Sequence, residues 1–378
     1  MTRARGRAGR AGRAAIVMFA AMVLAVSPAG HLAAQDSQFG IRGLGTPGKW
    51  ESVRARSAGG AFAPFDAFSA LTDASLIDAR RLAGSITGAM SNRTVQANGS
   101  EAPLRGTRFP VFVVAGPLTR RIVVGAGFST YLDRTFGIGL QDTIDIRGTP
   151  VPITDQVTSD GAVTDLRFSM AARVNRWIAL GGGFHVLTGS TRVVATRTFG
   201  DTAYRSTTAR AQVAYSGKAA SVSALIDLTS GLRVSGWFRA DSKLDADVLG
   251  KVVASNDLPN SYGTGVQWRL GSELTVAGTA SWRDWTASAA NGHNTFNWSF
   301  GTEFGQLGSG LRLGARGGQM PFGAGQTAPT EVGLSGGVGK QFSAGRGRID
   351  FGVEHLERKG TGLNERVWTF LLGLTVRP

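Results

Sequence analysis

The chain has 378 residues, of which 54 are glycine and none is cysteine. Its 41 basic and 26 acidic residues give a formal net charge of +15, and 42% of the residues are hydrophobic. These values exclude a disordered chain, a disulfide framework, a thiolate metal site and a cysteine nucleophile. Glycine at this level without a G-X-Y period favours a β protein with many turns.

Residues 1–35 have the pattern of a secretory signal peptide. Five arginines between Arg3 and Arg13 precede an apolar run over 14–26, and small residues follow at Ala33 and Ala34. The run has 13 residues, too few to cross a bilayer of about 30 Å as a helix, so a retained anchor is the disfavoured alternative. Cleavage near Ala34 would remove the five arginines and leave a net charge of +10.

From residue 81 to the end, apolar and polar residues alternate in one run after another. Val266, Trp268 and Leu270, for example, are separated by single polar residues. A period of two places alternate side chains on opposite faces of a strand. Counting the runs predicts about 14 antiparallel strands over residues 81–378, with 12 to 16 as the accepted range. The connections predicted to be tight are 217–218, 271–273, 308–310 and 343–346, and only 135–160 is long enough for a substantial outer loop.

An exported chain of this kind has two destinations, the periplasm and the outer membrane. Lipid admits only helices and closed barrels, and a transmembrane strand needs about 9 to 11 alternating residues. A soluble β-sandwich is the alternative, since alternation also fits one buried face. The number of consecutive strands, the aromatic residues near strand ends and the aromatic final strand favour a barrel. The predicted fold class is therefore all-β, an antiparallel transmembrane β-barrel in the bacterial outer membrane.

Several strand and turn segments resemble FadL-type outer-membrane transporters. Residues 231–250, GLRVSGWFRADSKLDADVLG, resemble the family's strand leading into Lys-Leu, and LPNSYGTGVQWRL over 258–270 resembles its Leu-Pro-x-Ser-Tyr strand opening. ASWRDWT over 280–286 is similar to its Thr-Trp-x-x-Trp strand end. The segments 329–342 and 347–360 resemble its penultimate hairpins. The resemblance implies a 14-stranded barrel that moves long-chain fatty acids or other hydrophobic molecules and releases them sideways through a kink in the third strand.

A segment near the start of the chain is similar to the N-terminal part of the same family. SAGGAFAPFDAFSALTDASL over 57–76 contains the family's Gly-Gly-Ala-Phe, and Thr72-Asp73-Ala74 stands where the family has Asn-Pro-Ala. The resemblance implies that residues 36–80 form a plug, or hatch, inside the barrel. Gly125 and Gly127 would permit the kink in the third strand.

In a transmembrane barrel the apolar side of each strand faces lipid, so the opposite side faces the lumen. Candidate ligand-binding residues lie on this lumen-facing side of the strands and in the plug. Arg239 and Arg283 are the candidates for holding an anionic head group, although the arginines and carboxylates of this side could instead form a structural ladder of ion pairs. Phe62, Phe65 and Phe68 are candidates for an apolar lining. With Leu71 they recur every three residues, which predicts a short amphipathic helix that could equally anchor the plug to the wall.

Other motifs carry little weight. The G-x-G-x-x-G match at 43–48 has no preceding strand, and the G-x-S-x-G match at 333–337 lies within an alternating strand. We therefore expect no enzyme, no cofactor, no metal site and no nucleic-acid partner. The expected partners are outer-membrane lipid and a hydrophobic or amphipathic small molecule, and a closed barrel is expected to be a monomer. The predicted function is a channel for passive uptake of such molecules, and the alternative is a scaffold barrel that its plug closes permanently.

Overall fold

The computed structural model describes residues 37–41, 43–97, 100–289, 292–306, 309–323 and 325–378, so the predicted signal peptide lies outside the described residues. This part of the chain is almost entirely β-structure, with one short α-helix, α1 (Val53–Arg56). No helix within it is long and apolar enough to span a membrane. The strands are β1 (Thr46–Pro47), β2 (Ala83–Ala97), β3 (Ser100–Pro117), β4 (Ile122–Asp133), β5 (Phe136–Ile146), β6 (Thr149–Arg173), β7 (Ile178–Phe199), β8 (Thr207–Asp227), β9 (Leu232–Asp241), β10 (Lys243–Val248), β11 (Lys251–Asp257), β12 (Ser261–Leu270), β13 (Leu274–Asp284), β14 (Asn294–Gln306), β15 (Ser309–Gln319), β16 (Thr330–Phe342), β17 (Gly347–Gly360) and β18 (Leu363–Val376).

Fourteen of these strands form a closed antiparallel wall. It runs β2, β3, β4, β6, β7, β8, β9 and β12 to β18, and it closes because β18 pairs with β2 from Leu363↔Ala97 to Val376↔Gly84. The all-β barrel class and the predicted number of strands are confirmed. Four further strands join the wall: β5 pairs with β6, β10 pairs with β8 and β11, and β1 pairs with β4.

The two faces of the wall strands differ as the alternation predicts. On β18, Trp368, Phe370 and Leu372 are about half exposed on the outer face, whereas Val367 and Leu371 are buried on the inner face. On the outer face of β12 to β14, Tyr262 and Trp282 stack with their ring centroids 5.8 Å apart, and Phe296 continues the row. Lipid hydrocarbon stabilises a contiguous apolar outer surface of this kind, and the lipid–water interface stabilises its aromatic rows.

The two ends of the barrel are different. At the turn end, where β2 begins and β18 ends, the described strands are joined by short turns such as 118–121, 174–177 and 271–273. At the loop end, residues 135–160 form the β5–β6 hairpin, and β10 and β11 form a second long hairpin, so the prediction of only one long loop is wrong. The turn predicted at Gly217–Lys218 is also wrong, because β8 runs through it for 21 residues.

Residues 37–41 and 43–80, called the inner segment below, lie inside the wall. α1 contacts β16, β17 and β18, while the 3-10 turn Ala74–Asp78 contacts β3, β4, β6, β7 and β8 on the opposite side. The backbone of Ala58 and Gly59 lies directly on the wall. A side chain at Gly314 would come within 2.1 Å of the Ala58 carbonyl carbon, so glycine is needed there for this close approach.

The helix predicted for residues 62–71 does not form. The chain makes one 3-10 turn at Ala63–Phe65 and continues in extended conformation at Asp66 (φ −113°, ψ 116°). Pro64 lies in the first turn, where proline is tolerated, and the extended backbone at Asp66 ends the turn. The three phenylalanines point in different directions as a result, and each packs into a different apolar cluster.

Candidate functional site

Buried ion pairs join the inner segment to the wall at β14 to β17. Arg54 of α1 contacts Glu303 with its Nη2 atom 2.6 Å from Oε2, and Arg312 contacts the other oxygen of Glu303 at 2.8 Å and Asp350 at 2.7 Å. All four side chains are nearly inaccessible to solvent. Buried pairs of this kind stabilise a structure only when their geometry is good and both partners remain. They therefore fix one position of α1 against the wall.

A second set of pairs continues this ladder towards the loop end. Arg56 of α1 and Arg316 of β15 both bind Glu354, and Arg316 lies 2.8 Å from one of its oxygens. Lys49 reaches Glu331 at 3.0 Å. Burial and the nearby Arg316 lower the pKa of Lys49, against the opposing effect of Glu331. The lumen-facing charges of β14 to β17 thus form paired contacts on this side of the barrel.

On the opposite side, Asp73 attaches the inner segment to β6 and β8. The Arg167 Nη2 atom lies 2.8 Å from Asp73 Oδ1, and the Ser221 hydroxyl donates to Asp73 Oδ2 at 2.7 Å. The backbone N–H groups of Asp73 and Ala74 donate to the Ser223 hydroxyl. Burial raises the pKa of Asp73, but the Arg167 charge and the hydroxyl hydrogen bonds outweigh it, so the pKa lies below its usual value. This attachment is called the Asp73 latch below.

Ser221 also belongs to a chain of contacts that resembles a Ser-His-Asp arrangement. The His185 Nε2 atom lies 2.9 Å from Ser221 Oγ, and Nδ1 lies 3.0 Å from both carboxylate oxygens of Asp165. The Ser221 hydroxyl donates its proton to Asp73. It is therefore not free to donate that proton to His185, as activation of a serine nucleophile requires. Arg167, which binds Asp73, lines a cavity with a volume of about 10 Å³, room for about one water molecule. The arrangement is suited to holding the latch rather than to admitting a substrate.

A cavity of about 160 Å³ lies between the inner segment and β13 to β16. Four tryptophans line it: Trp50 of the inner segment, Trp237 of β9, Trp285 after β13 and Trp298 of β14, together with Leu71 and Met320. Trp237 points inward and packs across Gly263. A side chain in place of Gly263 would come within 2.3 Å of the Trp237 indole ring. We call this the tryptophan cavity. It is large enough for a benzene-sized molecule, since a cavity of about 150 Å³ holds one.

Arg283 provides the cationic side of the tryptophan cavity. Its guanidinium lies 3.9 Å from the centroid of the Trp50 ring, a cation–π contact. Among the residues that the structure describes, no carboxylate lies within ion-pair distance of Arg283. Glu51 also lines the cavity, and its buried Oε2 atom has no hydrogen-bond partner within the described ranges. The cavity therefore combines aromatic surface with one unpaired cation, Arg283, and the carboxylate of Glu51.

The wall is interrupted between β3 and β4, close to this cavity. Their pairing ends at Val111↔Ser129, because Pro110, next along β3, has no N–H to donate. β4 then carries one extra residue, Tyr131, relative to β6, and its end turns inward to pair with Thr46 and Pro47 of β1. The interruption thus begins at Pro110 and Thr130, and the extra residue Tyr131 follows it on β4. Gly125 and Gly127, suggested from the sequence, lie in regular ladder.

A second cavity of about 90 Å³ lies at this interruption, which we call the β3–β4 seam. Arg108 and Pro110 of β3 and Thr130 and Asp133 of β4 line it. Residues 46–49 line both this cavity and the tryptophan cavity, so one short stretch of the inner segment lies between them. Movement of that stretch would join the tryptophan cavity to the seam.

The structure separates the residues that the sequence grouped as ligand-binding candidates. Arg239 is buried and paired with Asp165 and Asp241, so its charge is already compensated. Arg283 faces the tryptophan cavity. Phe62, Phe65 and Phe68 are buried in the three apolar clusters and do not line that cavity. Their roles in ligand binding stay predictions.

Several residues of this region had no signal in the sequence. In the sequence, Asp73 stands out only as a departure from a family motif, and no pattern marks Trp50 or Tyr131. Trp237 and Phe238 are adjacent aromatics, and alternation alone places one of them inward. Among the described residues, no group of three or more His, Asp or Glu side chains is arranged to hold a metal ion.

The chain was compared with known proteins by sequence and by structure. No family model and no curated protein sequence matches it. A Pseudomonas aeruginosa FadL homologue superposes with a TM-score of 0.61 and 12% identity, over 88% of this chain and 99% of that one. The Ralstonia pickettii toluene transporter TbuX gives 0.53 and 14%, over 90% and 99%, and the monoaromatic hydrocarbon channel CymD gives 0.53 and 14%, over 89% and 98%. At these identities the likeness establishes the fold, and it confirms at that level the resemblance read from the sequence: the chain has the FadL-type barrel fold.

Proposed function

We propose that the chain is an outer-membrane channel for passive uptake of small hydrophobic or amphipathic molecules. The observation that carries the proposal is the tryptophan cavity, an aromatic space of about 160 Å³ between the inner segment and the wall. Ligand sites are typically apolar with a few placed polar groups. Here the aromatic rings supply the apolar surface, and Arg283 supplies a group that would hold a carboxylate.

The membrane location rests on the exposed outer surface of the wall. Apolar side chains such as Phe370, Leu372 and Leu374 are 41–49% exposed along a single strand, which water would disfavour and lipid would stabilise. The fold neighbours described as a toluene transporter and a hydrocarbon channel support the same class of substrate. Once residues 46–49 move, the β3–β4 seam would give a route from the cavity into the surrounding lipid.

The alternative is a scaffold barrel that does not transport. The buried ion pairs of α1 and the Asp73 latch favour it, because they hold the inner segment on both sides of the lumen. A channel must leave part of that segment free to move. The two readings therefore differ in whether residues 46–49 move while α1 and Asp73 stay in place. We do not propose an enzyme, since the Ser221 hydroxyl is committed to Asp73.

Ligand binding to the tryptophan cavity tests the proposal. The probes are para-bromobenzoate and its neutral relative para-bromotoluene, whose bromine quenches tryptophan fluorescence, added to the refolded barrel in detergent. Ser281 lines the cavity, and Ser281→Leu should fill part of it. Overpacking of this kind costs about 1 to 3 kcal/mol, a factor of roughly 5 to 150 in affinity.

The matched control is Thr264→Leu, at an exposed position of the neighbouring strand β12. We expect saturable quenching by both probes in the parent chain and in the control, and weakened quenching in Ser281→Leu. Equal quenching in all three chains would place the binding elsewhere. No saturable quenching by a folded barrel would favour the scaffold.

A further inference from the structure

The turn end of the barrel opens into a wide, strongly basic space. Its volume is about 1180 Å³, and nine arginines and three aspartates line it, with no lysine, glutamate or histidine. The lining therefore has an excess of six positive charges. We call this space the basic vestibule. It shares no lining residue with the tryptophan cavity.

Four of the nine arginines have carboxylate partners. Arg54 pairs with Glu303 and Arg348 with Asp350, while Arg173 and Arg233 share Asp227. The other five have no carboxylate within ion-pair distance among the residues that the structure describes. They are Arg80, Arg120, Arg176, Arg269 and Arg377.

These five arginines come from five separate parts of the chain. Arg80 ends the inner segment, Arg120 lies in the β3–β4 turn, Arg176 in the β6–β7 turn, Arg269 near the end of β12 and Arg377 after β18. Four are exposed and Arg377 is half-buried. The fold thus gathers around one opening cations that are far apart in sequence. Like charges repel, so this arrangement lowers stability unless an anion is present.

We propose that the basic vestibule binds an acidic peptide segment of a soluble partner protein. The guanidinium group matches the planar carboxylate and can bind it through two parallel hydrogen bonds. A concave surface with charge of one sign also concentrates oppositely charged partners. The space exceeds the range of about 300 to 1,000 Å³ that small-molecule pockets occupy, which favours a length of chain over a single small anion.

Phosphate groups of membrane lipids are anionic, as the carboxylates of an acidic peptide are. They surround the outside of the wall, whereas these arginines line an opening inside it.

The identification of the turn end as the periplasmic side rests on the proposed outer-membrane location, since such barrels have short periplasmic turns. The binding itself does not depend on transport through the tryptophan cavity.

The test uses a fluorescein-labelled peptide of ten glutamates and the refolded full barrel in neutral detergent, followed by fluorescence anisotropy. One variant carries Arg80→Gln, Arg120→Gln and Arg176→Gln. The matched control removes three exposed arginines at the loop end, Arg147→Gln, Arg205→Gln and Arg210→Gln. Both variants lose the same net charge.

We expect saturable binding that weakens steeply with salt, at least about tenfold weaker in the turn-end variant and changed less than about twofold in the control. Equal losses in the two variants would show a diffuse effect of net charge and would overturn the proposal. Absence of saturable binding to the parent barrel would also overturn it. If micelles of a short-chain phosphatidylglycerol displace the peptide more effectively than unlabelled peptide does, the arginines serve lipid phosphates and the proposal fails. Because para-bromobenzoate binding uses different residues, none of these results decides the proposed function.

Discussion

Replacing Asp73 with alanine is expected to release the end of the inner segment from β6 and β8. The Asp73 side chain is 2% exposed and Arg167 is 9% exposed, so the substitution leaves a guanidinium buried without its carboxylate. Breaking a buried pair in this way costs about 3 to 5 kcal/mol. Since about 1.4 kcal/mol is a factor of ten, the fraction of molecules with a released segment should rise by a factor of roughly 10² to 4 × 10³.

The reactivity of a single introduced cysteine measures this release. The chain has no cysteine of its own, and Ser75, two residues after Asp73, is 0% exposed. A cysteine in place of Ser75 should react with an aqueous thiol reagent only when the segment leaves the wall. Leu249→Cys, at a position that is 97% exposed, gives the rate for an open site.

The control for this prediction is Asp78→Ala in the same segment. The Asp78 side chain is 33% exposed and pairs with Arg233 near the surface, and such pairs contribute about 0 to 1 kcal/mol. The cysteine at position 75 should therefore react only slightly faster in Asp78→Ala and much faster in Asp73→Ala. Equal reactivity in the two variants, or no change in Asp73→Ala, would refute the role assigned to the latch.

Three further predictions concern the same contacts. The pKa of Asp73 is lowered in the docked segment. Docking should therefore be unaffected above the usual aspartate range and should weaken as the pH falls through the docked pKa. A pyridyl disulfide reagent should then react faster with the Ser75→Cys protein in acid, and the Asp73→Ala background should abolish that increase. Glu354→Gln removes a carboxylate that two buried arginines share and should lower the free energy of unfolding by about 3 to 5 kcal/mol in urea titrations. Glu357→Gln, at a side chain that is 43% exposed, should change it by less than about 1 kcal/mol. Similar losses in the two variants would contradict the role given to the buried ion pairs. Arg283→Gln should weaken para-bromobenzoate by about 1.5 to 3 kcal/mol and leave para-bromotoluene unchanged; an equal loss for both probes would mean that Arg283 only shapes the cavity.

The hairpin from 261 to 284 shows what the sequence can predict in this fold. Alternation and the short polar connection predicted two strands and a turn, and the structure has β12, residues 271–273 and β13 at those places. The face of the strand on which each side chain lies follows from the period of two, so it can be predicted without knowledge of distant contacts. The number of wall strands follows from the same count.

The errors arise where distant parts of the chain meet. Gly217 looks like a turn residue, but a side chain there would come within 2.9 Å of the Lys243 carbonyl oxygen, where β10 joins β8. Glycine at this point serves a close approach of two strands. The contact spans 26 residues of sequence and has no local pattern.

The charged residues show the same limit. Arg239 and Arg283 occupy equivalent lumen-facing positions in the sequence pattern, yet Arg239 meets Asp165, 74 residues away, and Arg283 meets the Trp50 ring. Asp73 is held by side chains from β6 and β8. Which cation remains unpaired is decided by tertiary contacts, so it could not be predicted from alternation.

The proposed channel requires a route from the tryptophan cavity through the β3–β4 seam. Pro110 and Thr130 are the next opposed positions after the last pair, Val111↔Ser129, so Pro110→Cys with Thr130→Cys should allow a disulfide that closes the seam. A control pair, Thr264→Cys with Ala280→Cys, joins two strands that are already paired on the far side of the wall.

The most direct measurement is therefore uptake of radiolabelled toluene by outer-membrane vesicles that contain each stapled barrel, before and after reduction, with disulfide formation confirmed by mass spectrometry. If substrate leaves through the seam, the oxidised seam staple should block uptake, reduction should restore it, and the control pair should have no effect in either state. Uptake that is the same with the seam closed and open would contradict a channel that uses the seam.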